Sequence, residues 1–560
     1  MTSRRGEIPV LIVGAGPVGL TLAADLGRRG IECLVVEEHA DVKSHPRAMG
    51  IGPLTMEHFR LWGIDDRVYD VSLPADEQGD IVYVTRICGH ELARFPSPSI
   101  AEIKARAPEL IARVPPLAHS PYYRTWCAQH RLEPVLRDYA KSLPAVELRF
   151  NTKLDAIAQD EDGVTATVDG ETIRAQYLIG CDGARSKVRH DLGIAMSGRG
   201  VLGEVWGTHF RAPTLWRERA IRPGVMYWTH APGCASVVYT INARDEWWMN
   251  TYFRADEDFA PIDPVARVRS AVGRDIAVEV ISSRAYKAFQ LVADRFGAGR
   301  VLMAGDAVHL FVPPGGLGMN TGIQDAFNLG WKLAATIEGW GGENLLASYE
   351  IERRPVAQRN TNRAADSYLN ARDAFMVDPR VDDESPEGER ARIEWTPKVR
   401  AAGLHQHSIA GAQLDPAYIN SPICAVEDAT DPERDKLSYT VNSGPGHRAP
   451  HAWLPDGRST LDLVDPSRFV LLNFGDNSAT ILDAARRRSV PLGVIDVTDE
   501  AAARLYERKL VVVRPDGIVA WRGDTPPAEP IALVDCIRGA EPLVVARTLT
   551  LSGQAEEKAT

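Results

Sequence analysis

A glycine pattern near the start of the chain, Gly14-Ala15-Gly16-Pro17-Val18-Gly19, constrains the fold more than any other feature. It lies between an apolar segment predicted to be a strand, Ile8–Val13, and a segment with helical periodicity, Val18–Arg29. Glycines permit a tight turn and a close backbone approach to a pyrophosphate, and the helix N-terminus offers free N–H groups and a partial positive charge. The segment therefore predicts a βαβ unit that binds a dinucleotide.

An acidic residue follows at the expected distance. A second predicted strand, Glu32–Glu37, ends in Glu37 with Glu38 beside it, about 20 residues after the glycines. A carboxylate there can accept hydrogen bonds from ribose hydroxyls. The pattern predicts a dinucleotide site but does not separate FAD from NAD.

A second segment favours a flavin. Val301–Ala307 reads as a buried strand that ends in an acid, a loop rich in proline and glycine follows, and a helix containing Asp325 comes next. Such parts supply a carboxylate for ribityl hydroxyls, bare backbone against the ring, and a helix N-terminus aimed at the flavin N1–C2=O. The residues expected at the cofactor in this segment are Gly305, Asp306, Pro313, Gly316, Gly318, Met319 and Asn320.

A third segment, Cys181–Arg189, follows a predicted strand and contains the pair Asp182-Gly183. Together the three motifs resemble those of the class A flavoprotein monooxygenases, the superfamily of para-hydroxybenzoate hydroxylase and phenol hydroxylase. In that family the Asp-Gly segment is implicated in binding both FAD and NAD(P)H. The resemblance extends the expected cofactor residues to Arg47, Gln129, Leu154, Asp182, Gly183 and Arg189.

The resemblance also implies an architecture. The fold class is α/β, with a Rossmann-type FAD-binding domain, an inserted β-sheet substrate domain and a C-terminal thioredoxin-like domain without a CxxC pair. The expected boundaries are 1–75, 100–190 and 295–375 for the FAD-binding domain, 76–99 and 191–294 for the substrate domain, 376–404 for a linker, and 405–552 for the C-terminal domain. The last domain is expected to serve packing or formation of a homodimer.

The activity implied is hydroxylation of a phenolic aromatic substrate with NADH or NADPH and O₂, through a flavin C4a-hydroperoxide. No protein nucleophile is required, because the cofactor performs the difficult step. Baeyer–Villiger oxygenation or epoxidation of a polyketide-like substrate stays open, because the same hydroperoxide serves both. A flavin-bound sensor or interaction protein is a third alternative. The choice between NADH and NADPH also stays open.

The substrate side is less defined. Residues 201–253 are rich in aromatic residues and predict a mostly antiparallel sheet over the flavin, but either face of each strand could point inward. The frequent tryptophans favour a fairly large apolar aromatic substrate over a small one that carries a carboxylate. The catalytic group is unassigned, and the candidates are His209, Tyr227, His230, Tyr239 and, in the proline-glycine loop, Pro314.

Bulk properties exclude other classes. A net charge of −11 argues against nucleic acid as a partner, and no run of about 18 apolar residues predicts a membrane span. Seven scattered cysteines without a CxxC pair fit a reducing cytoplasm. The pairs His405/His407 and His447/His451 have usable spacing for a metal, but no carboxylate or cysteine pattern joins them, so no metal site is expected.

Overall fold

The computed structural model describes residues 7–42, 45–219, 221–253, 263–313, 315–374, 378–407, 409–425 and 439–540, and of 371–374 the backbone alone. Two compact units hold the described residues. The first unit draws on Met1–Gly330, Arg353–Leu414 and Lys436–Tyr439. The second unit draws on Trp331–Glu352, Asp415–Asp435 and Thr440–Thr560.

The strands share the apolar and β-branched composition that suits a pleated surface. In chain order they are β1 Glu7–Val13, β2 Cys33–Glu37, β3 Gly50–Ile51, β4 Ile81–Val84, β5 Glu91–Phe95, β6 Thr125–Trp126, β7 Val146–Phe150, β8 Leu154–Gln159, β9 Val164–Val168, β10 Glu171–Gly180, β11 Met196–Arg211, β12 Met226–Thr229, β13 Ser236–Thr240, β14 Glu246–Phe253, β15 Glu279–Ala293, β16 Gly297–Ala298, β17 Val301–Met303, β18 His309–Leu310, β19 Phe469–Asn473, β20 Leu492–Asp496, β21 Leu510–Val513 and β22 Val519–Gly523.

Several helices begin at a proline, where the missing N–H costs no hydrogen bond. In chain order they are α1 Pro17–Arg28, α2 Pro53–Trp62, α3 Asp65–Asp70, α4 Ile100–Ala105, α5 Pro108–Arg113, α6 Gln129–Lys141, α7 Lys187–Asp191, α8 Leu215–Glu218, α9 Pro264–Val272, α10 Leu317–Glu338, α11 Ala347–Ala374, α12 Pro386–His407, α13 Ala410–Leu414, α14 Ala479–Arg487, α15 Glu500–Tyr506 and α16 Pro530–Ile537.

The first unit contains a largely parallel sheet in the order β16-β17-β10-β1-β2-β7, with β8 and β9 added beside β10. Strands β17, β10, β1, β2 and β7 run parallel to their neighbours in that order. Their carboxyl ends therefore meet at one edge, where open α/β sheets bind ligands. All three sequence motifs follow the carboxyl ends of strands in this sheet, which confirms the Rossmann-type fold class.

A second sheet in the first unit has the order β18-β15-β11-β14-β13-β12-β4-β5. It is antiparallel except where β12 runs parallel to β4. The register places Met226 opposite Tyr239 and Tyr239 opposite Trp248, so these three side chains share one face. Tyr227 and Trp247 point to the other face, into a separate apolar core. This sheet is the β-rich insertion expected from the sequence.

The segment 376–404, expected to be a linker, instead contains most of helix α12. Pro386 begins the helix, while Pro397 lies within it. Val399 is buried in the core of the second sheet, and Gly403 packs so closely on Phe95 that an added Cβ would lie 2.5 Å from its ring. Tertiary packing thus stabilises a helix that its charged, proline-bearing sequence did not indicate.

The second unit has a four-stranded sheet, β20-β19-β21-β22, with β20 parallel to β19 and the other neighbours antiparallel. Helices α14 and α16 pack against each other. This arrangement is thioredoxin-like, as expected. Within the unit, the fully buried Arg514 pairs with Glu352 at 2.6 Å, and Lys332 pairs with the same carboxylate at 2.7 Å. Among the described residues, no helix is long and apolar enough to cross a membrane.

Candidate active site

The first unit contains a cavity of about 660 Å³ at the carboxyl edge of the parallel sheet. One side is formed by the loops after β1, β2, β10 and β17, and the other by strands β12 to β15 of the second sheet. A single continuous cavity therefore joins the predicted dinucleotide motifs to the aromatic sheet face.

Steric constraints explain why glycine occupies three positions in the turn after β1. Gly14 has φ +105°, and a Cβ there would lie 2.4 Å from the carbonyl oxygen of Cys181. A Cβ on Gly19 would lie 2.0 Å from the carbonyl oxygen of Gly14. Gly16, by contrast, lines the cavity, and a Cβ added there would have no described atom within 4 Å. Gly14 and Gly19 close the turn, while Gly16 leaves open space for a ligand at the start of α1, beside Pro17 and Val18.

The carboxylate of Glu37 lies at the end of β2 and lines the cavity. It accepts hydrogen bonds from the N–H of Ala15 at 2.9 Å and of His39 at 3.0 Å. These contacts fix the carboxylate beside the glycine turn. Glu38 also lines the cavity and is exposed, so two acids lie beside the glycine turn.

Asp182 carries an unpaired buried oxygen. Its Oδ2 accepts a hydrogen bond from the N–H of Val188 at 3.1 Å, but Oδ1 is buried with no partner among the described residues. A buried carboxylate oxygen without a donor is costly unless a ligand supplies one. Asp182 and Gly183 both line the cavity. The orphaned oxygen therefore fits a cofactor hydroxyl at this point.

Arg189 lies outside the cavity lining and joins two motifs. Its guanidinium donates to the carbonyl oxygen of Ala307 at 2.8 Å and to that of Ala184 at 3.1 Å. Burial lowers the pKa of Arg189, and nearby Asp182 opposes that shift. The side chain holds the Asp-Gly segment against the loop that carries Asp306.

Asp306 lines the cavity, and the turn before it is held by a buried ion network. Gly305 has φ +66° and donates its N–H to Asp325 Oδ2 at 3.1 Å. The same carboxylate lies 2.7 Å from His309 Nε2 and accepts from Arg353 Nε at 2.7 Å. Burial by itself would raise the pKa of Asp325, but Arg353 and His309 hold that pKa below its ordinary value.

The proline-glycine loop is fixed by Asn320. Its amide oxygen accepts from the N–H of Gly52 at 2.7 Å and from Thr55 Oγ1 at 2.9 Å, and its nitrogen donates to the carbonyls of Gly50 and Gly316. Asn320 does not line the cavity, so we assign it a positioning role. The cavity itself is lined by Pro313, Gly316, Gly318 and Met319, whereas Pro314 lies outside the described residues.

The remaining cofactor candidates lie on the same wall. Gln129 donates its amide to Glu133 at 2.6 Å, and its backbone N–H donates to the carbonyl of Ala48 at 2.9 Å. Arg47, Gln129 and Leu154 all line the cavity. Their role at the cofactor stays a proposal supported by this placement.

The opposite wall is aromatic. Tyr239 stacks on Trp248 with ring centroids 5.8 Å apart, and Trp126 lies 6.5 Å from Tyr239. Trp126 is oriented by a hydrogen bond from its indole N–H to the carbonyl of Gly79. Other residues of this wall come from the second sheet and from the end of α12. They are Met226, Asn250, Arg284, Tyr286, Lys287, Phe289, Gln406 and His407.

The four described candidates for the catalytic group separate clearly. Tyr239 lines the cavity, and burial raises its pKa above the ordinary phenol value. Tyr227 is fully buried elsewhere, where its hydroxyl accepts the N–H of Gly224 at 2.8 Å. His209 and His230 are also buried and do not line the cavity. Of the four, the structure brings only Tyr239 to the cavity.

Sequence reasoning missed several polar groups of the cavity, and three of them bear on its chemistry. They are Arg124, His407 and His45, whose ring lies 2.7 Å from Ser282 Oγ. Burial and the nearby cation Arg284 lower the pKa of His45 to about 4, so its ring is neutral at neutral pH. No local motif marked Arg124 or His407, because both reach the cavity through contacts distant in sequence.

The described residues contain one cluster with metal-ligand chemistry, away from the cavity lining. The ligand atoms of His130, His209 and Glu246 lie within 4.8 Å of one another. Arg131 already donates to Glu246 at 2.5 Å, which supplies the carboxylate with a cation. The histidines considered from the sequence have other partners, His447 with Asp415 and His451 with Ser459.

Comparison with known families agrees with this site. The family described as "FAD binding domain" matches residues 7–364, and the family described as "Aromatic-ring hydroxylase, C-terminal" matches residues 442–538. The first match covers well over half of the chain. The cavity is thus that of an FAD-binding protein.

Three relatives span nearly the full length. The chain is 35% identical to tetracenomycin B2 monooxygenase-dioxygenase of Streptomyces olivaceus, over 97% of this chain and 100% of that protein. It is 32% identical to 2,4-dichlorophenol 6-monooxygenase of Delftia acidovorans, over 92% and 95%. It superposes with TM-score 0.87 on the rebeccamycin biosynthetic enzyme RebC with reduced flavin, at 38% identity and 96% and 99% coverage. The chain belongs to the class A FAD-dependent aromatic-ring monooxygenases.

Proposed function

We propose that this enzyme uses NADH or NADPH and O₂ to hydroxylate a fused-ring phenol. The observation that carries the proposal is the continuous cavity, which joins the glycine turn to an aromatic wall. Its volume of about 660 Å³ lies within the range typical of ligand pockets. A stacked pair, Tyr239 and Trp248, lines this side of the cavity, with Trp126 beside it. Planar polycyclic substrates gain most from such surfaces because offset stacking adds to apolar burial.

The residues around the cofactor fit FAD. Gly16 leaves space at the helix N-terminus, Glu37 and Asp306 offer carboxylates, and Asp182 has an oxygen that needs a donor. Bound FAD, once reduced, supplies the activation of oxygen. The protein's own task is to hold the substrate ring at reacting distance and to keep water out. The loop through Pro313 and Gly318, short of polar side chains and locked by Asn320, suits the exclusion of water.

A nicotinamide dinucleotide is the reductant in this proposal. A second G-x-G-x-x-G match, Gly198–Gly203, lies within strand β11 and not between a strand and a helix, so the dinucleotide would dock without a Rossmann unit of its own. Cations near the Asp-Gly segment, Arg185 and Lys187, line the cavity and could pair with phosphate groups. This placement supports the proposal that the reductant approaches from that side.

The test is oxidation of NADH and NADPH by the FAD-loaded protein with a panel of single-ring phenols, naphthols and hydroxyanthraquinones. Hydrogen peroxide and the mass of the organic product are measured alongside. We expect a fused-ring phenol to accelerate oxidation at least about tenfold, with one oxygen atom added to the product and little peroxide. A panel that gives only peroxide, or no acceleration with any phenol, would contradict the proposal.

A matched pair of variants separates the site from the fold. Trp248→Leu removes part of the aromatic wall and should raise KM for fused-ring phenols more than for single-ring phenols. Trp395→Leu changes a tryptophan on α12 that lies outside the cavity lining, and its kinetics should match those of the parent enzyme. Equal effects of the two substitutions would indicate that the aromatic wall does not contact the substrate.

A further inference from the structure

Arg124 occupies an unusual place in the aromatic wall. It precedes β6, which pairs with β3, and its side chain passes Gly50 to line the cavity. The guanidinium lies 5.4 Å from the ring centroid of Trp126. The side chain is only partly accessible, and its accessible surface faces the cavity space. A full positive charge is therefore held within a wall that is otherwise largely aromatic.

No acid neutralises this charge among the described residues. Two arginines of the same unit show the usual arrangement, since Arg353 pairs with Asp325 and Arg94 pairs with Asp80. Arg124 forms no such ion pair within the described ranges. Burial lowers its pKa, and only the hydroxyl groups of Tyr123 and Tyr239 oppose that shift. Arginine stays protonated even so, which leaves a charge that costs free energy until an anion pairs with it.

The cavity wall around Arg124 carries positive charge, opposite in sign to the net charge of the chain. The chain as a whole has a net charge of −11. The cavity residues contributed by the second sheet nevertheless include two exposed cations, Arg284 and Lys287, and no acid. His407, which also lines the cavity, has a pKa well below its ordinary value because of burial and the nearby Arg124. The substrate side of the cavity thus favours a negative ligand group.

We infer that Arg124 is the binding site for an anionic oxygen of the substrate, so that the enzyme acts on an acidic fused-ring aromatic. The anion is an ionised phenol or a carboxylate, and both present the oxygen that a guanidinium binds. An ionised phenol has released its proton to water, and its ring is richer in electrons for attack on oxygen. This inference rests on the proposed function and goes beyond it in naming the substrate's charge and the residue that reads it.

The experiment measures binding to the FAD-loaded enzyme without reductant. Three anthraquinones serve as probes: alizarin, whose ionised form absorbs to the red of the flavin, anthraquinone-2-carboxylate, and neutral anthraquinone. The parent enzyme is compared with Arg124→Gln, Arg124→Lys and Arg244→Gln. Arg244 is an exposed arginine outside the cavity and serves as the control. Flavin absorbance and thermal unfolding report whether each variant folds and retains FAD.

The parent enzyme should bind at least one acidic probe more tightly than anthraquinone. Arg124→Gln should weaken the binding of that acidic probe roughly 10- to 100-fold, the range expected for a lost charge-assisted hydrogen bond. The affinity for neutral anthraquinone should change less than about twofold. Arg124→Lys should retain part of the affinity for the acidic probe that Arg124→Gln loses. If the phenol is the anion, alizarin should ionise at lower pH when bound to the parent than when bound to Arg124→Gln. If it is the carboxylate, only anthraquinone-2-carboxylate should lose affinity.

Three results would overturn the inference. The first is a parent enzyme that prefers neutral anthraquinone to both acidic probes. The second is an Arg124→Gln variant that binds the acidic probes as the parent does, and the third is a variant that loses affinity for all three probes equally. Because these readouts need no turnover, a selective acid site in an enzyme that makes only peroxide would refute the proposed function and leave the assignment of Arg124 as an anion site standing.

Discussion

Replacing Asp325 with asparagine removes a buried anion on which three donors converge. Asp325 is fully buried, and its two oxygens accept hydrogen bonds from Gly305, His309 and Arg353. An asparagine has the same shape, but its NH₂ group must face a donor whichever way the amide is turned. Arg353, which is 1% exposed, would also lose its counter-ion. Stranding one member of a buried ion pair typically costs about 3–5 kcal/mol.

The assay is thermal unfolding of the enzyme with and without FAD, together with FAD titration. A loss of about 3 kcal/mol should lower the melting temperature by about 3 °C, because the entropy of unfolding of a chain of this length is large. FAD affinity should fall as well, since Gly305 precedes Asp306 at the cavity. The matched control is Asp66→Asn, which breaks the exposed ion pair with Lys104 and should cost less than about 1 kcal/mol.

The pH dependence gives the sign of the effect. The folded pKa of Asp325 lies below its ordinary value, so the unfolded chain takes up this proton more readily than the folded chain. The stabilisation is therefore complete above about pH 4, the ordinary value for aspartate, and is lost as pH falls through the folded pKa. The difference in melting temperature between the parent enzyme and Asp325→Asn should stay constant from about pH 8 to about pH 5. A gap below about 1 °C at neutral pH would refute the reasoning.

Three further predictions concern the cavity. Gly16→Val should fold normally, because no described atom lies within 4 Å of the new Cβ, yet should weaken FAD binding at least about tenfold, as measured by release of flavin fluorescence; retained affinity would show that FAD does not approach Gly16. Asn320→Ala should keep FAD but raise the share of NAD(P)H that ends as peroxide, because the loop loses four hydrogen bonds; an unchanged peroxide yield would argue against the loop as a water barrier. Tyr239→Phe should change kcat or KM severalfold, because Tyr239 lines the cavity. Tyr227→Phe loses the hydroxyl that accepts the N–H of Gly224, so it should alter stability and leave turnover close to that of the parent enzyme. A larger kinetic effect of Tyr227→Phe than of Tyr239→Phe would contradict the placement of the two strand faces.

The nucleotide motifs can be read from the sequence because their geometry is local. Gly14, Gly16 and Gly19 lie within one strand–turn–helix unit, where a few neighbouring residues decide the backbone path. Asp182 and Asp306 are likewise marked by the strand that precedes each of them. The cavity places both carboxylates as this reasoning expects, although their contact with FAD stays a prediction.

The aromatic wall cannot be read in the same way. A strand has two faces with a period of two, so Tyr227 and Tyr239 are equivalent until the pairing of β12 with β13 is known. Arg124 and His407 are 283 positions apart in the chain, and only the folded structure brings both to the cavity. Helix α12 escapes sequence reasoning because its charged sequence lacks a clear apolar stripe, and its burial against the second sheet decides its conformation.

The order of strands in the parallel sheet has a consequence for biosynthesis. β1 leaves the ribosome first, but its neighbour β10 ends at Gly180, and β17 completes the edge only at Met303. The buried carboxylate of Asp325 and its partner Arg353 follow later still. A nascent chain therefore has no complete nucleotide site until well over half of it has been translated. FAD can stabilise this enzyme only after that point, so earlier folding depends on the apoprotein alone.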